Sequence, residues 1–294
     1  MHKRLLLILS ILLVATTPAS SIAQIHLFDS TKVDSSTFVK TRQIINAIPT
    51  DNFQKFIYKR NDKELPYRLL LPKNYNKALE YPLVITFHNS SRIGNDNEKQ
   101  LEPLSKIWTR DEIYSTYNCF VIAPQFNQRS SNYTTGKNEI LISTPGNDVK
   151  LVIELLDAVA KEYNIDKSRI YLMGYSMGAS TAQNLMSLSP GTFAAMVSIA
   201  AVPDLSNLKG WKNKKIFLIH GQQDTENPYN GSAALFAKLK GNKNLVFKTF
   251  TNLDHNNINI PLLLSDEIPK WMFQKEIKKG KIRKPGISDI PVSR

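Results

Sequence analysis

The sequence predicts an α/β fold: a mostly parallel central sheet with antiparallel opening strands and helices on both faces. Three observations carry this reading. Short apolar runs recur at residues 83–87, 120–123, 170–173, 196–200 and 216–219, and such runs without alternation mark strands covered on both faces. Helical patterns separate them, and alternation of the two element types implies helices packed against a parallel sheet. Before the alternation begins, apolar runs at 56–60 and 67–71 flank Asn61-Asp62-Lys63, which reads as an antiparallel hairpin.

The helical elements follow in order. Val149, Val152, Ile153, Leu156 and Val159 recur at helical spacing within 148–163, and further helical patterns cover 179–188, 231–240 and 261–277. A last strand is expected at 245–250. The connection 127–147 shows no clear periodicity. It leaves the strand ending at Ala123-Pro124-Gln125, expected to neighbour the strand at 170–173. Its length of about 20 residues exceeds what connections usually need without a functional role. The single cysteine, Cys119, sits in an apolar run and reads as a core residue.

The N-terminus addresses the chain to the cell exterior. Lys3 and Arg4 precede an apolar run from Leu5 to Ala15, and Ser21-Ile22-Ala23 has the small-x-small form of a cleavage site. These are the three parts of a secretory signal peptide, and the apolar run falls short of the roughly 20 residues that span a bilayer. The expected organisation is a leader at 1–23, one catalytic domain at 24–274 and a basic tail at 275–294. Export places the mature chain outside the cell or in a periplasm, without stable membrane insertion. The net charge is +13, but much of the excess lies in the tail (Lys275, Lys278, Lys279, Lys281, Arg283, Lys284 and Arg294), which reads as a solvated end. No nucleic-acid motif accompanies it.

The chemistry centres on Gly174-Tyr175-Ser176-Met177-Gly178. A strand runs directly into it and a helix directly out, so the serine falls on a tight reversal that small residues two positions either side relieve. The geometry lifts the hydroxyl beyond the strand end, with the Met177 amide at the helix start available to a developing oxyanion. A serine nucleophile needs a base, and the base an orienting acid. Asp224 lies in the loop after the strand at 216–219, and His255 lies after the last strand. The order Ser176, Asp224, His255 is that of the α/β-hydrolase fold. Asp254 and Glu226 are rival acids; Asp254 abuts the histidine in sequence, a poor geometry for orienting its ring. His88 and His220 close strands, and His220 reads as bonding its own loop. Tyr175, beside the nucleophile, and Phe126 and Tyr133, from the connection after the strand at 120–123, are the pocket candidates.

Leu65-Pro66-Tyr67-Arg68-Leu69-Leu70-Leu71-Pro72, Tyr81-Pro82-Leu83-Val84-Ile85-Thr86-Phe87-His88, Ala123-Pro124-Gln125, Arg169-Ile170-Tyr171, Gly174-Tyr175-Ser176-Met177-Gly178-Ala179 and His220-Gly221-Gln222-Gln223-Asp224 resemble, in order and spacing, secreted esterases and peptidases related to feruloyl esterases and polyhydroxybutyrate depolymerases. The resemblance covers roughly residues 65–274 and implies an acyl-transfer hydrolase without metal or organic cofactor, acting on small-molecule or polysaccharide-linked esters. A serine peptidase of the same fold is the alternative, and a binding protein that kept the fold a third; the intact triad order argues against the third. The sequence departs from the family pattern at His88-Asn89-Ser90, where His-Gly is usual. Asn tolerates a left-handed backbone, so the turn is expected to survive, with the amide of Asn89 or Ser90 as the second oxyanion donor; Ser90 aligns with the usual one.

Overall fold

A computed structural model describes residues 24–274; the expected leader at 1–23 and basic tail at 275–294 lie outside the described residues. The strands are β1 (Ile25–Asp29), β2 (Phe53–Arg60), β3 (Lys63–Leu70), β4 (Tyr81–Phe87), β5 (Phe120–Pro124), β6 (Ser131–Thr135), β7 (Leu141–Pro145), β8 (Ile165–Tyr175), β9 (Ala195–Ile199), β10 (Lys215–Gly221) and β11 (Leu245–Phe250). Nine form one sheet in the order β1-β11-β10-β9-β8-β4-β5-β3-β2, and β6 pairs with β7 apart from it. Pairing is parallel from β1 through β5, and antiparallel at β5–β3 and β3–β2. The mostly parallel sheet with an antiparallel hairpin at one edge is the fold the sequence predicts.

The central strands are buried on both faces because their residues alternate between two apolar layers. Leu83, Ile85, Ile170, Leu172, Ile216 and Leu218 face one core, packed with the helix Leu151–Glu162 and the helix Met177–Leu188. Val84, Met173, Phe217 and Ile219 face the other, with the helices Ser35–Ala47 and Glu267–Phe273. Ser176, Asp224, His255 and the Asn89 turn all follow carboxyl ends, of β8, β10, β11 and β4, so the topology gathers them on one edge of the sheet. Ligands of open α/β sheets bind at that edge.

Three expectations change. β5 does not neighbour β8, the strand that leads into Ser176: β4 lies between them. The connection 127–147 is a two-stranded antiparallel hairpin rather than irregular chain. It docks through hydroxyls and amides: Ser130 Oγ meets Thr181 Oγ1 at 2.7 Å, and Ser131 Oγ donates to Asn184 Oδ1 at 2.9 Å. An interface of Ser, Thr and Asn gives no apolar alternation for sequence reading to detect. The helical pattern at 261–277 resolves, within the described residues, into two short helices, Ile260–Leu263 and Glu267–Phe273. β1 and the helix Ser35–Ala47 had no expectation. β1 is an edge strand, and only Thr41 and Ile45 of the helix are buried, too few to set a period.

Candidate active site

The reversal between β8 and the helix Met177–Leu188 is strained where the sequence predicts. Ser176 is the N-cap of that helix with φ 57° and ψ −124°, a left-handed conformation that L-residues rarely adopt and that costs on the order of 1–3 kcal/mol. Space permits nothing larger around it. A Cβ on Gly174 would stand 2.3 Å from the Gly178 backbone, and one on Gly178 would stand 2.1 Å from the Phe87 carbonyl oxygen. The Ser176 amide is tied to Ile199 O at 2.9 Å on neighbouring β9, which anchors the turn to the sheet.

The structure brings the three predicted side chains together. His255 Nε2 lies 2.9 Å from Ser176 Oγ, and His255 Nδ1 lies 2.7 Å from Asp224 Oδ2. A carboxylate only accepts, so Nδ1 carries the proton and Nε2 presents its lone pair to the serine hydroxyl. Asp224 is held on both oxygens: Oδ1 accepts the amides of Glu226 and Asn227 at 3.0 and 2.9 Å, and His220 Nε2 stands 3.2 Å from Oδ2. Burial alone would raise the Asp224 carboxyl, but these partners hold it well below the usual carboxylate range. It stays ionised across neutral pH. The rival acids sit elsewhere. Glu226 is 3.8 Å from Nε2, the nitrogen that faces Ser176 Oγ, and Asp254 accepts the amides of Asn256 and Asn257.

Neighbours fix this geometry. His220 Nε2 donates to Asn227 O at 2.8 Å while Nδ1 accepts from Ser232 Oγ at 2.7 Å, so His220 organises the acid loop. Tyr175, expected as a pocket wall, donates its hydroxyl to His255 O at 2.8 Å, and its ring centroid lies 5.0 Å from that of His255. It braces the base. Sequence reading missed this because the hydrogen bond spans 80 residues. Phe126 is a correction: it is 2% exposed and packs in the core beside Phe87 and His88, so it offers no wall to a ligand. Tyr133 is half-buried, with its hydroxyl 3.3 Å from Ser180 Oγ, one helical turn beyond Ser176, and the Arg129 guanidinium 4.8 Å from its ring centroid. Cys119 is a buried core residue whose thiol burial pushes up.

The turn after β4 survives without glycine, but by a different route than expected. Asn89 is extended, with φ −77° and ψ 175°, and opens the single turn Ser90–Arg92. Its amide donates to Glu102 Oε2 at 3.1 Å. His88 spans the turn: Nε2 accepts the Phe126 amide at 3.0 Å, and Nδ1–H donates to Asn89 O at 2.8 Å. Burial keeps His88 neutral, lowering its pKa to about 4. The Asn89 carbonyl and the Ser90 amide share one planar trans peptide unit, so fixing the carbonyl aims the Ser90 N–H the opposite way. Of the two candidate donors, Asn89 is engaged and Ser90 is the one left to act. On the other side, Met177 opens its helix, whose first amides have no intrahelical partner.

Residues 67–197 match the family model described as BD-FAE, and residues 142–262 match that described as Phospholipase/Carboxylesterase. The chain is similar to carboxylic ester hydrolases of the α/β-hydrolase fold. The chain is 27% identical to Probable feruloyl esterase C of Aspergillus flavus, over 80% of this chain and 77% of that one. It is 26% identical to the Bifunctional acetylxylan esterase/xylanase XynS20E of Neocallimastix patriciarum, over 49% of this chain and 22% of the relative. The crystal structure of a thermostable esterase superposes with a TM-score of 0.66 at 29% identity, over 76% of this chain and 62% of that one. The chain therefore spans less than two thirds of that protein's length. Among its described residues no helix is long and apolar enough to cross a membrane, and no cluster of three or more His, Cys, Asp or Glu is placed to hold a metal ion.

Proposed function

We propose that this esterase cleaves carbohydrate-linked acyl esters, feruloyl or acetyl, through an acyl-enzyme on Ser176. The observation that carries the reading is the continuous hydrogen-bonded line from Ser176 Oγ through His255 to Asp224, at 2.9 and 2.7 Å. Ser176 Oγ attacks the ester carbonyl as its proton passes to His255 Nε2. The carbonyl oxygen becomes an oxyanion that the Met177 and Ser90 amides stabilise. Collapse of the tetrahedral intermediate expels the alcohol, which takes the proton from His255, and leaves the acyl group on Ser176. Water then attacks the acyl-serine by the same route in reverse, releasing the acid.

The sugar-linked leaving group is supported by the names of the relatives and by a polar cleft on the same edge of the sheet. β3 runs antiparallel to β5, so the turn before Lys63 projects at the carboxyl edge of the sheet, the edge that carries the triad. A cleft of about 520 Å³ there is lined wholly by polar side chains, among them Asn127, Gln128, Asn147 and Asp148, which suits a hydroxyl-rich group. The reading includes export before action, on the strength of residues 1–23 of the sequence.

A panel of methyl ferulate, acetylated xylan, p-nitrophenyl acetate and a peptide p-nitroanilide tests the reading. Turnover of the esters, with loss on the order of 10⁶-fold in Ser176→Ala, is expected. A folded Ser176→Ala protein that retains ester turnover, or cleavage of the anilide alone, contradicts it.

A further inference from the structure

Glu102 stands behind the Ser90 turn and has no part in the triad. Its side chain is only 5% exposed. Oε2 accepts the Asn89 amide at 3.1 Å, while Oε1 lies 3.5 Å from Arg92 Nε and has no hydrogen-bond partner. A buried, half-satisfied carboxylate is a costly way to engage one backbone amide. Burial pushes this carboxyl up to about 7, against the opposing pull of the Asn89 amide, Arg92 and Arg42. Its one direct hydrogen bond falls on the residue whose carbonyl shares a peptide plane with the Ser90 N–H.

Two contacts therefore fix both ends of Asn89: Glu102 holds its amide and His88 holds its carbonyl, where the Arg92 amide also arrives at 3.2 Å. With its amide released, Asn89 can pivot about the carbonyl that His88 and the Arg92 amide still hold, and the Ser90 donor in that peptide plane tilts with it. We propose that Glu102 is a positioning residue of this esterase, holding the Asn89 amide so that the Ser90 N–H points at the acyl oxygen. The glycine usual after this strand owes its shape to conformational freedom; here a carboxylate enforces the shape instead. The proposal rests on the serine-esterase reading above.

The test is steady-state hydrolysis of p-nitrophenyl acetate by the full chain and three variants, with circular dichroism to confirm folding. Outright loss of an oxyanion donor costs on the order of 10²–10³ in turnover, so misaiming one by Glu102→Ala is expected to lower kcat about 10- to 100-fold with little change in KM. Glu102→Gln retains an oxygen that accepts from Asn89 and is expected to recover most of that loss. Asn89→Pro removes the amide hydrogen while keeping a φ that suits proline, and also removes the side chain that accepts from the Ser91 amide; it is expected to lower kcat at least as much as Glu102→Ala does. If Glu102→Ala does not fold, Asn89→Pro decides. Wild-type kcat in whichever of these two variants folds overturns the proposal alone, as does a Gln variant no better than Ala. Absence of turnover in the wild-type chain overturns the esterase reading and the proposal with it.

Discussion

Asn184 is the knot between the β6–β7 hairpin and the nucleophile helix, and removing it gives a sharp test of how the hairpin is held. Its side chain is fully buried, accepts from Ser131 Oγ at 2.9 Å, and donates to Ser143 Oγ at 3.2 Å and Asp204 Oδ2 at 2.8 Å. Ser131 and Ser143 belong to the two hairpin strands, and Asp204 follows β9. Asn184→Ala strands three buried polar atoms at once. Each stranded group costs about 1–3 kcal/mol, but the serine hydroxyls can rotate to other acceptors, so we expect the lower end, a total of about 3 kcal/mol. For a chain of this size that corresponds to a fall in Tm of about 6–12 °C. Scanning calorimetry reads the shift. The same variant should change relative rates across an ester series by loosening Tyr133, while Ser176 still reacts with a small probe. A Tm within 2 °C of wild type would show that the network does not hold the hairpin, and the docking argument would fail.

Two further outcomes follow from named contacts. Tyr175→Phe deletes the hydroxyl donated to His255 O at 2.8 Å; it should cost about 1 kcal/mol of stability and lower kcat about 10-fold by loosening the base, and unaltered kcat would remove Tyr175 from the positioning shell. Glu102 should make stability fall with rising pH, because a carboxyl raised from 4.5 to about 7 binds its proton more tightly in the folded chain. That contribution is full below 4.5 and lost as pH rises through about 7, about 3 kcal/mol in all. Glu102→Gln should therefore narrow the drop in Tm between pH 5 and pH 8, and an unchanged drop would contradict the assignment.

The parts of this molecule visible in its sequence are those whose physics is local. A strand buried on both faces must be apolar at nearly every position, so β4, β5, β8, β9 and β10 announce themselves. Gly174 and Gly178 frame Ser176 because any Cβ there would strike backbone. That Ser176, Asp224 and His255 meet followed from the Gly-x-Ser-x-Gly reversal and from the loops that leave the later strands. What stayed hidden depends on distant partners. Phe126 looks like a pocket aromatic until the core closes over it. The hairpin at 127–147 has no apolar period because it docks through hydroxyls and a side-chain amide. Glu102 carries no motif: its meaning arises only when the fold sets it against Asn89, 13 residues away.

The central claim is that Ser176 is the nucleophile of the ester-cleaving reaction. Its most direct test is titration of the full chain with a fluorophosphonate, followed by tryptic mass spectrometry and ester turnover on the same samples. The account predicts one adduct per chain, on Ser176, with turnover of p-nitrophenyl acetate falling in step with occupancy, and no labelling of Ser176→Ala. An adduct on another residue, or turnover that persists when Ser176 is fully modified, would contradict it.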